Sequence, residues 1–377
     1  MAGIYVHIPF CESRCLYCDF FSTTDVEKRE RYVSTLLKEM ELRRNELPQQ
    51  DSFRTIYIGG GTPSQLSTKD LKRIFDGIYS LFDVRADAEV TMECNPEDMT
   101  LAFAEGLRTL PVNRISMGVQ TFDDERLRFL HRRHNSQKAH EAVDLLKEAG
   151  YQNISIDLMF GFPGEQLQEW EKDIEKGLSL DVPHLSAYSL MYEEGTALTK
   201  LKESGMITAL EDDEMLDMYA LLMNKLEESG YNHYEISNFC KPGMESRHNM
   251  SYWQGESYMG FGAGAHSYNG IIRKWNIASL DHYMEGVMRG TGYSDYEILS
   301  DKDRLNEYVM TRLRTIKGMD LEQVRNEFAD KTDLSEFERV LSKHLDGGNL
   351  IQENGIIRLS RKGLYISDTI MSDLFEL

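Results

Sequence analysis

The 377-residue chain predicts an α/β fold: an open (β/α)6 partial barrel of TIM type, followed by a helical, winged-helix-like domain. Short runs rich in β-branched residues alternate with longer segments of helical periodicity up to about residue 195, which is the pattern of parallel strands joined by crossover helices. Right-handed crossovers curl six such units toward a barrel. The last 80 or so residues instead read as helices followed by one turn-centred hairpin.

In chain order the strands are expected at Ile4–Ile8, Thr55–Ile58, Glu89–Glu93, Arg114–Val119, Ile154–Phe160 and Leu185–Leu190. Between them, Arg31–Leu47, Thr68–Leu81, Ala102–Leu110, Ser136–Gly150 and Leu167–Leu178 carry helical spacing, with Ser67 and Ser136 available as N-caps. These elements form the expected first domain, residues 1–195. An extension, 196–295, opens with an acidic helix around Glu211–Glu228 and turns rich in Gly, Tyr, His and Asn from Tyr231, with the texture of loop and hairpin. In the third unit, 296–377, Leu305, Val309 and Leu313, then Leu321, Val324 and Phe328, mark helical faces. Leu350–Leu359, centred on Glu353-Asn354-Gly355, marks a β-hairpin wing.

Composition narrows the function. Lys and Arg total 42 against 63 Asp and Glu, and the resulting charge of −21 repels phosphate backbones. Residues 301–377 carry 12 basic and 15 acidic side chains, so the wing has no basic face for DNA, and nucleic acid is excluded as the main partner. No apolar run reaches the roughly 18 residues of a transmembrane segment, and Ile4–Phe10 contains His7 and Pro9 with no basic flank, unlike a signal peptide. Five cysteines are too few for a secreted disulfide framework, and three fall within eight positions. A cytoplasmic protein with a metal is the expectation.

Cys11, Cys15 and Cys18 form a C-x3-C-x2-C pattern just after the first strand. Thiolates are soft donors for iron–sulfur clusters or zinc. A structural zinc would want a fourth ligand, whereas Cys94 and Cys240 stand apart. Three protein ligands on a four-iron cluster leave one iron open for another molecule. A small zinc site and a Cys15-x-x-Cys18 redox pair are the competing readings, the second leaving Cys11 unexplained.

The strand ends supply polar candidates for the barrel mouth, where connecting loops converge. They are the Gly59–Pro63 run, whose missing Cβ atoms let backbone approach a ligand, then Glu93, Gln120, Arg132, Asp157, and Ala187 with Tyr188.

Tyr5–Phe10 ahead of the cysteines, Gly59–Pro63, Gly118-Val119-Gln120, Ile156-Asp157-Leu158 and the closing helical domain resemble one branch of the radical S-adenosylmethionine (SAM) superfamily. That branch holds oxygen-independent coproporphyrinogen III oxidase and its haem-chaperone relatives. The resemblance implies a [4Fe-4S] cluster on Cys11, Cys15 and Cys18, with SAM chelating the open iron. It further implies SAM contacts by Tyr5, Gly60, Glu93 and Ala187. A second SAM pocket, known from the oxidase, would correspond to Tyr17, Gly61, Thr62, Gln120, Arg132 and Asp157.

Two departures weaken the oxidase reading. The oxidase has a further cysteine two positions past the third, where this chain has Phe20, and an extended N-terminal arm where this chain has ten residues before Cys11. Arg247–Trp253, followed by Gly260–His266, is similar to the H-N-x-x-Y-W signature of the chaperone branch. The resemblance therefore implies haem as cargo, passed to an acceptor protein that the residues do not name, as they do not name an electron donor. Oxidative decarboxylation of coproporphyrinogen III is the alternative, and no catalytic residue is assigned. His248, Tyr252 and Trp253 offer an imidazole and flat aromatic surface for haem, with His7 and His266 as rival donors. Asp19 follows Cys18, so no C-x-x-C-H attachment motif exists.

Overall fold

A computed structural model describes residues 2–46 and 52–375. The six expected strands are present and pair in chain order, all parallel: β1 (Ala2–Ile8), β2 (Phe53–Gly60), β3 (Val84–Cys94), β4 (Arg114–Gln120), β5 (Ile154–Phe160) and β6 (His184–Ser189). The crossovers contain α1 (Arg29–Arg43), α2 (Thr68–Leu81), α3 (Leu101–Leu107), α4 (Asp124–Phe129), α5 (Ser136–Glu148) and α6 (Leu167–Ser179). The open, partial α/β barrel expected from the alternation is the observed fold.

Alternation along the strands explains the layering. Ile4, Val6 and Ile8 of β1, and Ile154, Ile156 and Leu158 of β5, are fully or almost fully buried in the main core. Intervening positions, Tyr5 and His7 or Ser155 and Asp157, point the other way, into the barrel interior.

Boundaries differ in physically legible ways. β3 starts at Val84, five residues ahead of the expected Glu89, because its first turn of the chain is polar and exposed at Arg85 and Asp87. Ser67 caps α2 as expected, accepting from the Asp70 N–H, but the cap of α5 is Asn135 rather than Ser136, its side chain accepting from Lys138 N–H. α1 ends at Arg43, and the expected helix end at Leu47 lies outside the described residues. α4 is an additional helix, started by Asp123, whose carboxylate accepts from the N–H groups of Glu125 and Arg126.

The extension departs most from expectation. After α7 (Ala197–Glu203) and the acidic α8 (Asp212–Glu228), it adds strands to both edges of the sheet rather than forming loop and hairpin alone. β7 (Asn232–Glu235) and β8 (Asn238–Cys240) pair antiparallel beside β6. Past α9 (Arg247–Trp253), β9 (Tyr258–Phe261) lies parallel to β1, and β10 (His266–Tyr268), β11 (Ile272–Asn276) and β12 (Ser294–Ile298) continue outward. α10 (Leu280–Arg289) sits between the last two. The sheet has twelve strands among the described residues. These added strands run three to five residues, too short to display a period.

A buried ion pair fastens the β9–β11 side of this addition. Glu39 and Arg43 of α1 meet at 2.8 Å; Glu39 also accepts from Gly262 N–H, Asn276 Nδ2 and Tyr283 hydroxyl, while Arg43 donates to the Gly260 carbonyl. Both charges are thus paired and hydrogen-bonded, the condition under which burial is tolerated.

The closing unit has its own core. α11 (Asp301–Leu313), α12 (Leu321–Phe328), α13 (Ser335–Asp346), α14 (Arg361–Leu364) and α15 (Ser367–Asp373) surround a three-stranded sheet of β13 (Met319–Asp320), β15 (Ile356–Leu359) and β14 (Leu350–Glu353), in that order. The expected hairpin is present, turning through Asn354 and Gly355, both at positive φ.

Candidate cofactor and metal site

The loop after β1 carries the three cysteines over the barrel mouth. Backbone bonds close it: Cys11 N–H donates to the Thr23 carbonyl and Thr23 N–H to the Pro9 carbonyl. All three thiols are free, Cys11 buried and the others half-buried. Burial pushes the Cys18 thiol up to about 11 and raises Cys11, and in both cases the neighbouring thiols add to the rise, so the sulfurs lie within electrostatic reach of one another. Among the described residues, no three His, Cys, Asp or Glu side chains are gathered closely enough to hold a metal ion. A cubane differs from a single ion in that each cysteine binds its own iron. Three soft donors on one short loop, with no fourth, fit such a cluster.

Hydroxyl and cationic groups ring the sulfurs. Thr62 Oγ1 lies 3.4 Å from Cys11 Sγ, and Arg132 Nη1 donates to Cys15 Sγ at 3.5 Å. Arg132 also donates to the Gly118 carbonyl, and its buried Nε has no partner, a cation turned into the interior with a donor to spare. A Cβ on Gly61 would fall 2.8 Å from the Pro9 backbone and 3.0 Å from Cys11 Sγ, and one on Gly60 would fall 2.6 Å from the His7 ring. Gly60 moreover has φ of +111°, so the loop seats against the cysteine segment only with glycine at both positions.

The expected SAM contacts come together on the same side. Glu93 accepts from the Tyr57 hydroxyl at 2.8 Å and from Gly60 N–H at 3.0 Å. Burial, then repulsion from Asp157, raises its carboxyl to about 7. Asp157, reached by Ser116 Oγ, is likewise raised to about 6 by burial. Both are surrounded by protein yet partly exposed, as side chains facing an open interior are. Tyr5 is bonded to His7 Nδ1 at 3.0 Å, and Tyr17 lies within electrostatic reach of Arg132, Cys15 and Asp157. Gln120 ends β4 at a bulge with φ of +72°. Ala187 shares a buried face of β6 with Leu185 and gives its N–H to the Ser237 carbonyl.

His248, expected as a haem donor, is enclosed. It is 1% exposed, with Nδ1 on Thr55 Oγ1 and Nε2 on the Tyr252 hydroxyl, each at 2.8 Å. Burial lowers it to about 3, so the ring is neutral and spends its one donor and one acceptor on these partners. A ring so engaged has no lone pair for iron; His248 is a hydrogen-bond node. His7 is spent in the same way on Tyr5 and the Phe21 carbonyl, whereas His266 is exposed. Tyr252 turns its hydroxyl toward His248, and Trp253 is half-buried with its ring under the Arg314 guanidinium.

Sequence reasoning missed Thr55, Tyr57 and Glu89. Glu89 is buried in β3 and accepts from the first N–H groups of α9, those of Arg247 and His248. Thr55 and Tyr57 alternate with buried Ile56 and Ile58, and that period of two was the signal available for an inward face. Together these residues build a file of rings with centroids 4.7–6.3 Å apart: Tyr5, Tyr57, His248, Tyr252, Tyr258 and Tyr268. It leads from the expected SAM pocket to the far side of β9.

An open parallel barrel with three cysteines on its first loop defines a radical SAM protein, and the radical SAM superfamily model matches residues 5–177, with the HemN C-terminal domain model matching 299–366. Over its whole fold the chain is similar to coproporphyrinogen III oxidase (HemN) from Escherichia coli, a radical SAM enzyme, at a TM-score of 0.85 with 22% identity, covering 99% of this chain and 90% of that one. Among curated proteins it is 38% identical to heme chaperone HemW of Lactococcus lactis subsp. lactis (86% of this chain, 84% of that one) and 36% identical to heme chaperone HemW of Bacillus subtilis (97% and 95%). The chain belongs to the HemW family of the radical SAM superfamily.

Proposed function

We propose that this protein is a haem chaperone: it holds haem, carries a [4Fe-4S] cluster on Cys11, Cys15 and Cys18 with SAM on the open iron, and delivers haem to an acceptor protein in the cytosol. The observation that carries the reading is likeness at 36% identity across 97% of the chain to a protein named as a haem chaperone. Phe20 supports it, standing 63% exposed where the oxidase has its further cysteine.

Bound SAM would supply a sulfonium whose carbon–sulfur bond an electron can split. The chain's part is positioning. Gly60 and Gly61 bring backbone against the cysteine loop, Glu93 presents a carboxylate to ribose hydroxyls, and the Arg132 cation faces the sulfurs. Tyr17, Thr62, Gln120 and Asp157 line the same interior and would complete a second nucleotide pocket.

One anaerobically reconstituted preparation tests the reading. Stoichiometric haemin binding without turnover of coproporphyrinogen III is expected. Protoporphyrinogen formation at useful turnover would transfer the assignment to the oxidase, whose fold this chain shares.

A further inference from the structure

His248 and His7 are both hydrogen-bonded inside the barrel, and the structure offers haem another place. A cleft of about 510 Å³ opens where β9–β11 face α11 and α12, within the roughly 300–1,000 Å³ typical of small-molecule and cofactor sites. Trp253 and Tyr252 of the H-N-x-x-Y-W segment form part of its wall, and Arg312 fastens that segment to α11 by donating to the carbonyls of Trp253 and Gln254 at 2.7 and 2.8 Å.

Three arginines line this cleft in a chain of net charge −21, and each lies over an aromatic ring of the same cleft: Arg273 over Tyr268 at 6.0 Å, Arg304 over Phe328 at 5.8 Å, and Arg312 over Tyr308 at 5.1 Å. Carboxylates already show how two of them bind: Glu307 holds Arg273 at 2.6 Å, and Glu327 holds Arg304. Flat aromatic walls beside paired guanidiniums are complementary to one ligand chemistry, a planar macrocycle carrying two carboxylates.

We propose that this cleft seats haem, its ring against Tyr258 and Tyr268 and its two propionates on Arg273 and Arg304 in place of Glu307 and Glu327. The proposal rests on the haem-chaperone reading and adds to it the location and the anchoring residues. The file of rings that starts at Tyr5 ends on this wall, so cluster side and cargo side are joined by packed side chains.

The test is haemin titration of the full reconstituted chain, read by the Soret band, beside the same titration with the dimethyl ester of haemin. Arg273→Gln and Arg304→Gln are each expected to weaken haemin about tenfold, the worth of one charge-assisted bond. The ester should bind the parent protein correspondingly weakly and be indifferent to both substitutions. Glu307→Gln combined with Glu327→Gln removes the competing carboxylates and is expected to tighten haemin severalfold. Met310→Trp, which fills the cleft from a partly exposed position, should abolish binding while leaving the melting temperature unchanged. Haemin binding unaltered in the arginine and Met310 variants would overturn the cleft and leave the chaperone reading standing. No haemin binding by the parent protein would overturn both. Loss of acceptor binding alone in these variants would make the cleft a protein-docking surface and overturn its assignment to haem.

Discussion

His248→Ala separates a structural imidazole from an iron ligand. The substitution deletes two buried hydrogen bonds, to Thr55 and Tyr252, and strands both hydroxyls in a closed interior. At roughly 1–3 kcal/mol for each buried hydroxyl left unpaired, the cost is about 2–6 kcal/mol. Unfolding entropy of ~2.1 cal/mol/K per residue, over 377 residues, is about 0.8 kcal/mol/K, so the melting temperature should fall by about 3–8 °C. His248→Gln places a carboxamide near the Nε2 position, keeps the bond to Tyr252, and should recover about half of that loss. The assay is thermal unfolding followed by circular dichroism, with the Soret band recorded on the same samples. A melting temperature within about 1 °C of the parent for His248→Ala would refute the hydrogen-bond reasoning. A displaced Soret band in His248→Gln would return the imidazole to the iron.

Cys11→Ser, Cys15→Ser and Cys18→Ser should each lower reconstituted iron sharply, whereas Cys94→Ala and Cys240→Ala, in core positions, should leave it unchanged; iron and sulfide analysis decides. Gly61→Ala should have the same effect as a cysteine substitution without touching a ligand, because its methyl collides with the Pro9 backbone and the Cys11 sulfur; full iron occupancy in this variant would contradict the packing. The Glu93 carboxyl is raised from 4.5 to about 7, so its contribution to stability is complete below 4.5 and is lost as pH rises through 7. That loss is at most about 3 kcal/mol, and Glu93→Gln should remove it, so the parent should gain on the variant as pH falls from 8 to 5 in paired melting curves. SAM affinity should move the other way in the parent, rising through about pH 7 as the carboxylate that receives ribose hydroxyls ionises, and equilibrium dialysis at pH 6 and 8 checks it.

The barrel was legible because its strands alternate. Ile154-Ser155-Ile156-Asp157-Leu158 names its own inward face, and the cysteine triplet names its loop. The extension was not legible, because three-residue strands such as β8 and β10 have no period, and the place of β9–β11 at one edge of the sheet depends on a buried Glu39–Arg43 pair more than 200 residues away in sequence. The site divides the same way. Glu93 and Gln120 stand at the ends of β3 and β4, Asp157 in the middle of β5 and Arg132 in the turn after α4; position along the strand and loop order found them. For His248, residue type announces that an imidazole can bind iron, while only packing reveals that Thr55 and Tyr252 engage both nitrogens.

Gln120 carries a cost that its neighbours do not. A left-handed backbone at a residue with a side chain is uphill by roughly 1–2 kcal/mol, and glycine would adopt it freely. Gln120→Gly would therefore yield a sturdier chain with an emptier interior. The fold sits below the stability it could reach, and it does so at the point where β4 delivers an amide into the lumen.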